Sequence, residues 1–460
     1  MSFRRALGPF DATMVVVGGI IGSGIFINPY IVAQRLSSGG LVLAAWVVGG
    51  AIALAGAFAF AELGALFPKA GGEYVYLREA YHPGVAFLFG WASLLMIQGG
   101  GLAAVAIAFS QYTLRLVGGN PASAAPLAVA AIALVAAVNY AGVKPGSRLL
   151  NVLVVAKIAA LAVLIGGGLF LARRPAAAAA PASSFSGGSG LVAFGAALIP
   201  ILFTYGGWQS ANIIAEEMRE PRRTLPLALV AGTAIVILIY LLANVVYLSA
   251  LTREGLAATT TPAADAVRRI FGPGADRLIS AAITISAFGF LDLTLLAQTR
   301  IYYAMGADRL FFEGLGRLHP RFQTPSLAIL LQAAWGVVLV LTGTYADLVD
   351  SVVFGDWIFF TLTVAAVFLF RRRFPIESRP PGSFRSPGYP WFPAFFVVTG
   401  VAAVASAIAS NPRRSLIGTG LLATGFPVYL FYANRRRGLP SLRSGDGRGE
   451  GAGSAERRDR

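Results

Sequence analysis

The 460-residue chain has no cysteine, only two histidines, and charge on just 13% of its residues. Without cysteine there is no disulfide and no thiol chemistry. His82 and His319 each stand next to a proline in a polar segment between apolar runs. No serine–histidine dyad can form from them at membrane depth, and no His/Cys/Asp cluster has metal-ligand spacing. Asp292 and Asp356 offer only one Gly-Asp dipeptide, Gly355-Asp356, toward an aspartyl protease. Gly19-x-x-Gly22-x-Gly24 follows no strand and is therefore no nucleotide loop. Enzyme readings do poorly, and neither cofactor nor metal is expected. Acidic residues are scarce, 21 against 37 basic, for a net charge of +16. No Ala-x-Ala-like cleavage site follows Arg4 and Arg5, so the first apolar run is expected to stay in the mature protein.

What is present is apolar: 56% of residues are hydrophobic and the mean hydropathy is +0.70, which excludes an ordinary soluble domain. A bilayer crossing needs ~20 apolar residues. Such runs fall at about 10–35, 41–67, 84–117, 125–142, 147–172, 191–215, 226–251, 277–305, 325–344, 347–370, 391–410 and 413–434. The expected fold is an all-α polytopic membrane protein with twelve spans. Of the 37 basic residues, 26 fall on the side carrying both termini and ten on the other, with Lys157 inside a span. By the positive-inside rule both termini are cytoplasmic. The positive charge is thus a topology signal and an attraction for the lipid bilayer, with no nucleic-acid partner expected.

The first span breaks where Gly22-Ser23-Gly24 interrupts an apolar run, and a second break falls in Phe203-Thr204-Tyr205-Gly206-Gly207-Trp208. Small residues at Gly18 and Gly22 also suit close helix packing. Two broken helices in corresponding positions, however, point to a transporter's binding site. Unpaired backbone groups are tolerated in lipid only where they line a cavity. Amides opening the second half-helix, at Gly22, Ser23, Gly24 and Ile25, suit a carboxylate. Carbonyls ending the first half near Phe203, Thr204, Tyr205 and Gly206 suit an ammonium. An α-amino acid matches both ends. Phe203, Tyr205 and Trp208 are candidate gates or apolar filler. Gly22 and Gly206 sit 184 positions apart, which divides the chain into a cytoplasmic N-terminus (1–9), a first repeat of five spans (10–172), an external linker (173–190), a second repeat of inverted topology (191–370), two further spans with their preceding loop (371–434) and a disordered basic tail (435–460).

Lys157 lies about ten residues from either end of its span, roughly 15 Å from a headgroup at ~1.5 Å per residue. That is beyond comfortable snorkelling, so it needs an internal partner, either a structural ion pair or carbonyl, or a functional one. Asp292, mid-span, is free at this stage to pair with Lys157, carry a proton, or select a cationic substrate side chain. Glu62 reads as a loop anchor. Glu216, Glu217, Arg219, Glu220, Arg222 and Arg223 read as an inner gate network or a solvated helix end.

Gly22-Ser-Gly-Ile-Phe26, Phe60-Ala-Glu-Leu-Gly-Ala-Leu-Phe-Pro-Lys69, Gly71-Gly-Glu-Tyr-Val-Tyr-Leu-Arg-Glu-Ala80 and Phe203-Thr-Tyr-Gly-Gly-Trp208 resemble the amino acid–polyamine–organocation superfamily. Glu216-Glu-Met-Arg-Glu-Pro-Arg-Arg-Thr-Leu-Pro226 resembles its L-type amino acid transporter branch and the bacterial relatives of that branch. Arg300-Ile-Tyr-Tyr-Ala-Met305 and His319-Pro-Arg-Phe-Gln-Thr-Pro325 agree, and the likeness covers about 8–435. The resemblance implies a leucine-transporter-like 5+5 inverted repeat with helices 1 and 6 broken, Phe203 as the gating aromatic, and Lys157 in the place a sodium ion takes in sodium-coupled relatives. It further implies sodium-independent transport of L-amino acids, neutral ones being the expectation, by exchange across a bacterial inner membrane. Proton-coupled import, a cationic amino acid or polyamine carrier, and a non-transporting sensor remain as alternatives. Asp292 departs from an expected asparagine. The absent cysteines exclude the disulfide that joins animal relatives to a heavy subunit, leaving a single chain, monomeric in the simplest case.

Overall fold

The computed structural model describes residues 5–22, 24–171, 187–259, 261–342, 345–375, 379, 383–410 and 412–437. Ser23, most of the expected linker and the tail beyond 437 lie outside them. In chain order the helices are α1 (Pro9–Ile20), α2 (Gly24–Ile27), α3 (Pro29–Arg35), α4 (Gly39–Leu66), α5 (Glu73–Ala80), α6 (Pro83–Ala92), α7 (Gln98–Val117), α8 (Ala124–Tyr140), α9 (Val143–Leu171) and α10 (Gly187–Tyr205). After the second break come α11 (Ser210–Ile213), α12 (Pro221–Ala258), α13 (Pro262–Phe271), α14 (Asp276–Leu293), α15 (Thr299–Ala307), α16 (Ser326–Thr342), α17 (Tyr345–Arg373), α18 (Trp391–Ser410) and α19 (Pro412–Arg437). No strand occurs among the described residues. Six helical stretches there are long and apolar enough to cross a membrane, and five shorter apolar ones accompany them.

Local chemistry accounts for the boundaries. Ser38 Oγ accepts from Leu41 N at 3.2 Å to cap α4, and His82 Nδ1 accepts from Gly84 N at 3.1 Å ahead of Pro83. His82 is thus a helix cap, in keeping with its place beside a proline. α10 starts at Gly187, four residues before its expected start at 191. Two features were not legible in the sequence. Ser93–Ile97 joins α6 to α7, and Thr294–Gln298 joins α14 to α15, each through a single π turn. Such a turn adds a residue to an α-helix and re-aims the helix beyond it.

α4 packs along α12, while α14 packs along α7 and α9, and α1 is held between α12 and α9. One apolar cluster joins α1, α4, α9, α12 and α14, and a second joins α7 with α8, α14 and α16. At the end where α1 begins, the chain is tied down by polar contacts. Ala6 N and Leu7 N donate to Glu217 O at 2.9 and 3.1 Å, and Arg219 N donates back to Leu7 O at 2.8 Å. Glu217 Oε1 meets Arg300 Nε at 2.7 Å with both side chains at most 1% exposed. The mixed-charge patch therefore divides. Glu217 is in a buried network, whereas Arg219, Glu220, Arg222 and Arg223 are exposed. Glu62 holds the loop after α17 through Arg371 (2.9 and 2.7 Å), Arg379 (2.8 Å) and Ser386 N (2.9 Å), in agreement with its reading as a loop anchor.

Candidate functional site

The end of α1 carries backbone carbonyls with no helical donor ahead of them. Three side chains from three other helices supply donors. Lys157 Nζ, on α9, donates to Ile21 O at 2.7 Å and to Gly18 O at 3.3 Å. Tyr240 Oη, on α12, donates to Ile20 O at 2.8 Å, and Ser286 Oγ, on α14, to Ile21 O at 3.3 Å. Lys157 is fully buried. Its internal partners are therefore carbonyls. No ion pair within 4 Å links it to Asp292; that residue is equally buried and accepts from Asn139 Nδ2 at 2.8 Å through Oδ1. Asp292 Oδ2 has no partner.

The two breaks meet backbone to backbone. A Cβ built on Gly19 would lie 2.4 Å from Gly207 O, and one on Gly207 would lie 2.0 Å from Gly19 O. Only glycines permit that approach. Gly207 also has φ +116° and donates its N–H to Gln209 Oε1 at 2.9 Å. Just beyond, Asn28 Nδ2 bridges Thr204 Oγ1 (2.7 Å) and Pro200 O (3.1 Å), while Thr204 Oγ1 itself donates to Pro200 O at 2.6 Å. The half-helix expected from about Trp208 is short: α11 is one turn. It stops because Ile213 O accepts from Gly71 N at 3.1 Å, and Asn212 Nδ2 turns to Phe60 O at 2.8 Å and Tyr76 Oη at 3.0 Å. Thr204→Val keeps the shape but leaves Asn28 with one acceptor. We expect about 1–2 kcal/mol of lost stability, read as a lower thermal midpoint, together with slower transport.

Between the breaks lies a cavity of about 110 Å³, room for several waters or one small solute. Of the residues expected to bind substrate, Gly22, Gly24, Phe203, Thr204 and Gly206 line it. Ser23 is outside the described residues. Ile25 is packed in the core instead, and Tyr205 is wedged edge-on against Trp46 at 5.6 Å between ring centroids. Trp208 sits in an aromatic cluster behind the cavity, 4.6 Å from Phe60 and 5.5 Å from Phe360. The cavity walls do not include Lys157 or Asp292. They do include Gln98, Gln298 and Asp356, which sequence reasoning either passed over or dismissed. The available signal was an amide or acid inside an apolar run. Gln98 directly follows the first π turn and Gln298 closes the second, so both turns border the cavity.

A small cavity between two broken helices, walled mainly by apolar groups with a few polar side chains among them, is the geometry of a membrane carrier. Residues 7–431 match the amino acid permease family, and the chain belongs to it. It is an amino acid–polyamine–organocation permease related to the L-type family: a multi-pass membrane transporter of amino acids, not an enzyme. It is 33% identical over 375 residues to the b(0,+)-type amino acid transporter 1 of Homo sapiens, covering 80% of this chain and 77% of that protein. It is 29% identical over 441 residues to the serine/threonine exchanger SteT of Bacillus subtilis, covering 94% and 98% respectively. The cystine/glutamate transporter of Homo sapiens is 30% identical over 437 residues, covering 94% of this chain and 86% of that protein.

Proposed function

We propose that this chain carries L-amino acids across a bacterial inner membrane by sodium-independent exchange, as a single subunit with both termini cytoplasmic and no disulfide-linked partner. The observation that carries the reading is the Lys157 ammonium seated on Ile21 O and Gly18 O. A fixed cation there satisfies the carbonyls of the broken helix that a sodium ion would otherwise coordinate, so a sodium gradient has no site to act through. The substrate carboxylate is assigned to the amides around Gly22–Gly24 and its ammonium to carbonyls near Phe203–Gly206, with Phe203 as the gate. Positions 10–172 and 191–370 are assigned as inverted repeats. The paired breaks support this, and so do the paired π turns of the third and eighth spans. One relative is named a serine/threonine exchanger, in keeping with exchange.

Purified protein in proteoliposomes tests this. We expect labelled amino acid to enter only vesicles preloaded with unlabelled amino acid, with or without sodium. Uptake into empty vesicles that rises with an inward proton gradient would replace exchange by proton-coupled import. Binding with no flux in either condition would make the chain a sensor.

A further inference from the structure

Among the described residues lining the cavity, Asp356 is the one ionisable group. It stands in the middle of α17, roughly 16 Å from one end of the helix and 25 Å from the other at ~1.5 Å per residue. No protein donor or cation meets its carboxylate among the described residues. The two nearest-to-hand buried cations are engaged elsewhere, Lys157 on α1 carbonyls and Arg300 on Glu217. The neighbouring ionisable group is another acid, not a cation. Glu73, on the loop helix α5, is buried and accepts from Thr363 Oγ1 at 2.9 Å. Burial first, and then the Asp356 charge, push the Glu73 carboxyl well above the usual carboxylate range. A second acceptor faces the same space: Gln298 is 3% exposed and its Oε1 has no partner. An uncompensated acid at membrane depth is costly and marks function. Either a proton or a cationic group of the guest compensates it, and its place in the cavity wall puts it within reach of the guest.

We infer that Asp356 is the specificity-determining residue of the cavity and takes the side-chain ammonium or guanidinium of a dibasic L-amino acid, the lysine, ornithine and arginine class. Gln298 Oε1 supplies a further acceptor to the same group. This rests on the amino acid reading above, with the α-carboxylate and α-ammonium held at the two breaks. It differs from the neutral guest that the family resemblance implies.

The test compares three probes on the purified full-length transporter: L-lysine, L-norleucine, which lacks the ε-ammonium, and cadaverine, which lacks the carboxylate. Competition against labelled lysine in counterflow gives their relative affinities. We expect lysine to bind roughly ten- to hundredfold more tightly than norleucine in the wild type. In Asp356→Asn that ratio falls to near one, and in Asp356→Glu it is largely kept. Norleucine matching lysine in the wild type, or an unchanged ratio in Asp356→Asn, overturns the inference and leaves amino acid transport standing. Cadaverine matching lysine overturns the clamp itself. Loss of proton-driven uptake in Asp356→Asn with the ratio unmoved makes Asp356 a proton site and also overturns the inference. The wild-type ratio decides by itself if the variants fail to fold.

Discussion

Lys157→Ala is expected to abolish transport while leaving substrate binding within about tenfold of the wild type. The substitution removes the donor to Gly18 O and leaves Ile21 O with Ser286 Oγ alone at 3.3 Å. An unsatisfied buried carbonyl costs about 1–3 kcal/mol, so one conformational state of the carrier loses about five- to hundredfold in population. The site itself is not dismantled, because Lys157 does not line the cavity. Lys157→Met should behave like Ala, since it restores the stem and not the charge. Lys157→Arg should fail too, because a Cβ on Gly289 would already lie 3.0 Å from Lys157 Cε, leaving no space for a guanidinium. Uptake per purified molecule, set beside ligand-induced thermal stabilisation, separates the two quantities. Wild-type flux in Lys157→Ala removes the role.

Much of this arrangement was readable from residue type alone. Gly22-Ser23-Gly24 and Gly206-Gly207 announce breaks because each glycine weakens a helix by about 1 kcal/mol relative to alanine, and Lys157 announces an internal partner because it is too far from water. What it would bond was not readable. That depended on α9 crossing the end of α1, a relation between elements more than a hundred residues apart. Asp292 illustrates the same limit, since its partner Asn139 comes from α8 and only packing brings the two together. Tyr205 and Trp208 looked like gates because aromatics beside a break are the obvious candidates. The rotation of α10 sets Tyr205 against Trp46, and the turn after it seats Trp208 against Phe60; neither lines the cavity. The π turns left no mark on composition. They shift Gln98 and Gln298 by one residue's rotation, and a periodicity of 3.6 hides that. Asp356 was discounted because a Gly-Asp dipeptide is a weak protease signal. Its place in the cavity wall depends on packing that the sequence does not display.

The contact between the breaks sets the second expectation. Gly207→Ala must place a methyl 2.0 Å from Gly19 O and 2.4 Å from Gly19 C, both backbone atoms that no rotamer change can move. It must also hold an L-residue at φ +116°. Overpacking costs about 1–3 kcal/mol and the left-handed backbone about 1–2 more, so the variant should lose about 2–5 kcal/mol of stability along with its transport. Gly19→Ala meets Gly207 O at 2.4 Å without a left-handed φ and should cost somewhat less. Gly206→Ala is the control on the same turn: its methyl meets nothing nearer than Phe203 O at 3.3 Å, and its stability should fall by less than about 1 kcal/mol. Thermal midpoints of the three purified variants give the order directly. If Gly207→Ala and Gly206→Ala melt together, the half-helices are not in backbone contact in the populated state. If they separate as expected, the two half-helices are held backbone to backbone by a glycine pair whose spacing leaves no room for a single methyl group.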